Sequence, residues 1–157
     1  MLSLAMLVVA GLATSQSDPS PCSTVEARLQ VAPGAVKKGH VPQFTLLLRN
    51  KSETPLRFVD PRSGRRSDLV HALYRLVVET QKGKAPNVSQ AISDPGFVSS
   101  SDYGHLEPGA SVEIQITTPM SLDELRKGSY KAYVLVWPDP SGDDLPCRST
   151  TADFRVQ

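Results

Sequence analysis

The chain has 157 residues, 39% of them apolar, 21% charged and 6% aromatic, the size and make-up of one globular domain with no room for a second. Its formal charge is +1, from 17 Lys and Arg against 16 Asp and Glu, with +4 in the first 80 residues and −3 in the rest. That balance excludes a dedicated nucleic-acid binder and an acid-rich disordered tail, and the even spread of 10 Gly and 13 Pro excludes collagen-like and low-complexity architectures.

Residues 1–15, MLSLAMLVVAGLATS, hold an apolar run from Leu4 to Ala13 that ends in small residues, with no charged side chain before Asp18. This is the apolar and cleavage region of a secretory signal peptide, and a run of about ten residues is roughly half of what a bilayer crossing needs. The expectation is a signal peptide over 1–15, cut near Thr14-Ser15-Gln16, then a single domain over 16–157 in a secreted or periplasmic protein. No stable membrane insertion is expected after cleavage. The region before Leu4 lacks Lys and Arg, so a buried N-terminal strand or helix is the competing reading.

Cys22 and Cys147 are the two cysteines. In an oxidising compartment they can pair, and a bridge that closes nearly the whole mature chain is worth about 4–5 kcal/mol in the loop-entropy model. Free thiols are the alternative. A zinc site or a nucleophilic thiol would need a Cys-x-x-Cys pair or histidines at ligand spacing, and His40, His71 and His105 stand at no such spacing.

From Thr24 to Val31 the residues alternate, with Val25, Ala27, Leu29 and Val31 facing one way, which predicts a half-buried strand. Ala32-Pro33-Gly34 turns the chain towards a second strand, QFTLLLRN, with Phe44, Leu46 and Leu48 on one face. Leu56 and Phe58 begin a third, and DPRSGRRSD over 60–68 is a loop by composition. ALYRLVVET follows as a fourth strand, burying Tyr74, Leu76 and Val78, and Val88 to Ile92 is a weak edge-strand candidate. Ser93 to Gly104 reads as irregular.

After Glu107-Pro108-Gly109, whose Pro-Gly suits the centre of a turn, SVEIQIT shows the clearest alternation in the chain. Ser121 to Leu125 allows a single helical turn that Gly128 ends. SYKAYVLVW carries apolar residues on both faces, which implies a central strand, and STTADFRV closes the chain with Phe154 and Val156 in period. About seven short strands with no long amphipathic helix predict an all-β, antiparallel sandwich.

LEPGASVEIQI, followed by Leu125 to Tyr130 opening a strand, resembles the immunoglobulin-like superfamily in the broad sense that includes fibronectin type III. The resemblance covers most of 24–156 as a pattern and matches no specific subfamily motif. It implies an immunoglobulin-like β-sandwich in which Tyr130 hydrogen-bonds backbone near the preceding corner, a folding role. It also implies that the first and last strands lie side by side, bringing Cys22 and Cys147 together as a terminal staple. The pattern departs from the antibody-type branch, whose bridge joins facing central strands.

For chemistry, Ser99, Ser100 or Ser101 with a histidine and Asp94 or Asp102 would be the raw material of a hydrolase, yet no nucleophile elbow, zinc helix or phosphate-cradling loop is present. Asp139, Asp143 and Asp144 lack the flanking helices and terminal Glu of a calcium loop and read as a solvated turn, so no metal and no cofactor are expected. Arg62, Arg65 and Arg66 put three guanidinium groups on one loop and are the candidate binding residues for a carboxylate, sulfate or phosphate. Asn50-Lys51-Ser52 and Asn87-Val88-Ser89 match the N-glycosylation acceptor pattern. The expected function is a non-catalytic binding or adaptor module for an extracytoplasmic protein or glycan. The alternative is a small secreted protease inhibitor presenting DPRSGRRSD or the 138–146 loop, with an enzyme third.

Overall fold

The computed structural model describes residues 22–32, 35–63, 73–82, 99–116, 122, 125–137 and 146–157. They form an antiparallel β-sandwich with nine strands. β1 (Val25–Val31), β2 (Phe44–Asn50) and β6 (Ser111–Ile116) make the first sheet, in the order β1-β2-β6. β4 (Tyr74–Thr80), β7 (Gly128–Val136), β8 (Cys147–Arg148) and β9 (Ala152–Val156) make the second, with β7 pairing β4 on one side and both β8 and β9 on the other. β3 (Leu56–Val59) and β5 (Tyr103–Leu106) form a two-stranded ribbon. The expected edge strand over Val88 to Ile92 and the signal peptide over 1–15 lie outside the described residues.

Period-two patterning sets the register. Ala27 opposes Leu48 and Leu48 opposes Val112, so Val25, Ala27 and Leu29 of β1, Phe44, Leu46 and Leu48 of β2, and Val112, Ile114 and Ile116 of β6 share the inner face. A one-residue slip would turn Glu26, Arg28, Arg49 and Glu113 into the core. The second sheet answers with Tyr74, Leu76, Val78, Tyr130, Ala132, Val134, Val136, Phe154 and Val156. Phe44 meets Phe154 edge-on across the layers at 5.6 Å, and Phe154 stacks on Tyr130 at 5.5 Å. Each fully buried apolar side chain contributes about 1.5–3 kcal/mol. Leu122 and Leu125, tied by a Leu125 N–H to Leu122 carbonyl bond of 3.1 Å, plug one end of this core.

Two elements depart from the sequence reading, and each has a local cause. β5 occupies the end of the stretch read as irregular. Gly104 suggests a break there, but it opposes Phe58 in the ribbon, and a Cβ on it would lie 3.1 Å from the Phe58 ring and 3.2 Å from Asp60 Cβ. A side chain there would press the Phe58 ring out of its place, and glycine avoids that crowding. The last strand starts at Ala152 rather than Ser149, with a short β8 before it, because the chain leaves β7 at Thr150: Ser149 still donates its N–H to the Val134 carbonyl and accepts the Val134 N–H on its hydroxyl, both at 2.9 Å, while the Thr150 N–H donates to the Ala27 carbonyl of β1 at 2.9 Å. These two features raise the count above the seven or so expected.

Asn50 ends β2 on the inner face and is 1% exposed. Its Nδ2 donates to the Thr54 and Leu106 carbonyls, both at 2.8 Å, and its Oδ1 accepts from the Ser52 N–H at 2.8 Å. Its backbone holds the Glu107–Ala110 turn through bonds to Ala110 and Gly109, and Gly109 takes φ 76° where a side chain would be strained. One amide therefore joins the β2 end, the β3 entry and the β5–β6 turn. Asn50→Asp turns two donated protons into an oxygen facing two carbonyls, and urea unfolding is expected to show a loss of about 3–5 kcal/mol.

Cys22 and Cys147 form a disulfide with Cα atoms 4.8 Å apart, closing a separation of 125 residues. The paired Cys22→Ser, Cys147→Ser variant is expected to lose about 3–5 kcal/mol in the same assay, most of it through the unfolded chain.

Candidate binding surface

Arg62 sits on a 3-10 turn, Pro61–Ser63, that leaves β3. Asp60 starts the turn by accepting the Arg62 N–H on Oδ1 at 2.9 Å, and the same carboxylate receives the Arg62 guanidinium through Nε at 2.8 Å and a terminal nitrogen at 2.7 Å. The Arg62 guanidinium is thus occupied by a neighbour two residues away. Arg65 and Arg66 lie outside the described residues. Beneath the turn the Tyr74 hydroxyl donates to the Val59 carbonyl at 2.6 Å, and burial pushes that phenol above its ordinary range.

Ser99 and Asp102 are also close, but as the two ends of a capping box: Asp102 Oδ2 accepts the Ser99 N–H at 2.8 Å and the Ser99 hydroxyl at 2.9 Å. Asp102 is 3% exposed, and its carbonyl receives the Asp60 N–H at 2.8 Å. Among the described residues no hydrogen bond joins His40 or His105 to this box. His71, Asp94, Asp139, Asp143 and Asp144 lie outside the described residues, as does Asn87. Asn50, the other acceptor match, has its side chain sealed inside the fold. The Tyr130 hydroxyl donates to the Arg126 carbonyl at 2.8 Å, tying β7 to the corner that precedes it.

A different surface is built where the last strand crosses between the sheets. Thr150 swings towards β1, and Leu29 N–H donates to Thr150 Oγ1 at 3.1 Å. The crossing leaves a cleft of about 430 Å³ lined by Cys22, Glu26, Lys51, Arg148, Thr150 and Thr151 among others. A second cleft of about 340 Å³, lined by Glu26, Arg49, Asn50, Lys51, Ser52 and Gly109, shares Glu26 and Lys51 with it. The two clefts adjoin at these shared residues near the β1–β2 end, and together they are the seam trough.

Arg148 links this trough to the outer face of the second sheet. Its guanidinium lies 3.8 Å over the Tyr133 ring and donates to Thr151 Oγ1 at 3.3 Å. The Tyr133 hydroxyl donates to Glu79 at 3.2 Å, and Glu79 pairs with Lys131 at 3.3 Å. A row of Arg148, Tyr133, Glu79 and Lys131 therefore crosses β8, β7 and β4 in fixed geometry. The outer face of the first sheet has no such row. It carries Glu26, Arg28, Arg49, Glu113 and the Thr45–Gln115 pair, a solvated pattern with Leu47 half-buried among them.

Sequence reasoning passed over Arg148, Glu79 and Lys51: the first two stand in no motif, and Lys51 was only the middle residue of an acceptor pattern. The available signal was β7, whose outward Lys131, Tyr133 and Leu135 mark a strand with more than a solvent-facing role.

The Arg62 guanidinium holds the Asp60 carboxyl below its ordinary value of 3.8, against an opposing push from burial. A depressed folded value means the pair stabilises the fold above about pH 3.8, and this is lost as pH falls through the lower folded value. The stability gap between the wild type and Asp60→Asn is expected to be widest above pH 5 and to close on acidification, as read by thermal melts across the pH range.

No protein-family model and no curated protein matches this chain. Among solved structures it is similar to the C-terminal domain of Wzt, with a TM-score of 0.50 at 12% identity, covering 91% of this chain and 79% of that one. At that identity the similarity shows the fold, a β-sandwich.

Proposed function

We propose that this chain is an exported, non-catalytic binding module, an immunoglobulin-like sandwich that holds an extracytoplasmic protein or glycan. The observation that carries the reading is the seam trough with its attached row from Arg148 to Lys131. In the row, polar and aromatic groups on strands are locked by hydrogen bonds, stacking and an ion pair, and the trough lies beside it at the strand ends. Preorganised groups of this kind bind at low entropic cost. Export is supported by the apolar leader over 1–15 and by the disulfide, a bond that persists in oxidising compartments. Among the described residues no helix is long and apolar enough to cross a membrane.

Two measurements test the proposal. Intact mass of the protein from its own host, alkylated with and without reduction, is expected to lack about 15 residues and to show both thiols shielded until reduced. The disulfide-bonded domain, immobilised, is then exposed separately to the protein and polysaccharide fractions of the native envelope or medium. Retention of one component, competed by soluble domain, supports the module. Near-stoichiometric inhibition of a protease in a panel, with nothing retained, replaces it with the inhibitor reading. Turnover of the retained component replaces it with an enzyme.

A further inference from the structure

We infer that the seam trough is a site for an extended, carboxylate-bearing glycan. The inference rests on the binding-module reading and adds the chemistry of the ligand. Glu26 is the carboxylate lining the two clefts, and Arg28 already engages it through Nε at 2.6 Å. The cations of the trough have no such partner. Arg49 Nε donates to the neutral Gly109 carbonyl at 3.3 Å, Arg148 rests on the Tyr133 ring and the Thr151 hydroxyl, and the exposed Lys51 side chain has no partner among the described residues. Lys51 lines both clefts, with Arg49, opposite Glu26 in the β1–β2 ladder, in one and Arg148 in the other, so three cations stand against one carboxylate that Arg28 also engages, and the trough carries net positive charge. Cations spaced in this way suit a chain that presents carboxylates in succession better than one small anion.

The walls favour a sugar over an acidic peptide. A peptide gains affinity by adding a strand to a free sheet edge or by seating apolar side chains. At the seam the β1 edge is closed by Thr150, bonded to Ala27 and Leu29. The apolar residues of the trough, Val25 and Ala27, are 1% and 6% exposed and belong to the core. What the trough offers a ligand is hydroxyl-bearing side chains, Ser52, Thr150 and Thr151, beside the cations. An acidic polysaccharide supplies both hydroxyls and carboxylates to such a wall.

The test is affinity of the full disulfide-bonded domain for polygalacturonate, its methyl-esterified form and poly-glutamate. Polygalacturonate is expected to bind at low salt and to be released as ionic strength rises, because exposed charges are screened. The Lys51→Ala variant is expected to bind about tenfold more weakly, the loss of one charge-assisted contact, with Lys51→Arg restoring affinity, and the methyl ester, which loses every such contact, is expected to bind more weakly than that. Arg148→Ala is expected to act in the same direction, and because it also removes the stack on Tyr133, the Lys51 pair decides. Equal affinity for the methyl ester, indifference to Lys51→Ala, or tighter binding of poly-glutamate would each overturn the inference. A partner captured from the envelope whose retention ignores Lys51→Ala overturns it while leaving the binding module intact. Capture of nothing removes both.

Discussion

The fold depends on a strand that belongs to two sheets. Cys147 and Arg148 ladder onto β7, Ala152–Val156 do the same lower down, and between them Thr150 bonds to β1 instead. The crossing adds to a second backbone tie, the bridge between Val36, in the segment joining β1 to β2, and Val156 of β9. At the crossing, the backbone of one layer is hydrogen-bonded to the other, and the disulfide beside it fixes the same edge covalently. Leu29 and Thr150 are separated by 121 positions, so the seam is among the least local contacts in the chain. Pairings of such range form late, after loop-closure entropy has been met.

The crossing also explains where binding chemistry can accumulate. A continuous strand would have kept Thr150 and Thr151 in the ladder and left no trough. Because the ladder opens, the Ser149 hydroxyl stays with β7 and the Thr150 hydroxyl reaches β1, and just before the opening Arg148, still in the ladder, lies over Tyr133. The neighbouring strand supports this arrangement. β7 lies at the centre of the second sheet, and its outward residues are held from both sides, Lys131 by Glu79 of β4 and Tyr133 by Arg148 of β8. The first sheet, whose outer face is made of ordinary alternating polar residues, has no comparable rigid row.

Period-two alternation was enough to find most strands and their inner faces. SVEIQI reads as it folds, and so does the two-faced β7, because burial on each side is written into successive residues. The two cysteines could pair in an oxidising compartment, and the resemblance, which places the first and last strands side by side, implied the staple that the structure shows. What escaped were features that depend on one residue meeting another far away. Gly104 looks like a breaker until Phe58 is placed against it. Thr150 carries no mark of its partner on β1. Arg62 was nearly legible: in Asp60-Pro61-Arg62 the acid stands two residues before the guanidinium, and a short turn of that kind lets the carboxylate take both the N–H and the side chain. Arg148, Glu79 and Lys51 join a surface only once β8, β4 and the β2 end converge.

Asn50 has a consequence for how this protein is made. In a secretory route that attaches glycans to Asn-x-Ser before folding finishes, Asn50-Lys51-Ser52 is a substrate while the chain is open and ceases to be one when β2 closes. Folding and modification then compete for the same nitrogen. A chain that loses the race carries a bulky sugar on an amide whose native surroundings are two carbonyls and a turn, and it has no folded state to return to. The yield from such a host is set by which reaction is faster, and Ser52→Ala, which ends the acceptor pattern at the cost of the hydroxyl contacts to Asn50 Oδ1 and the Thr54 carbonyl, separates the two rates.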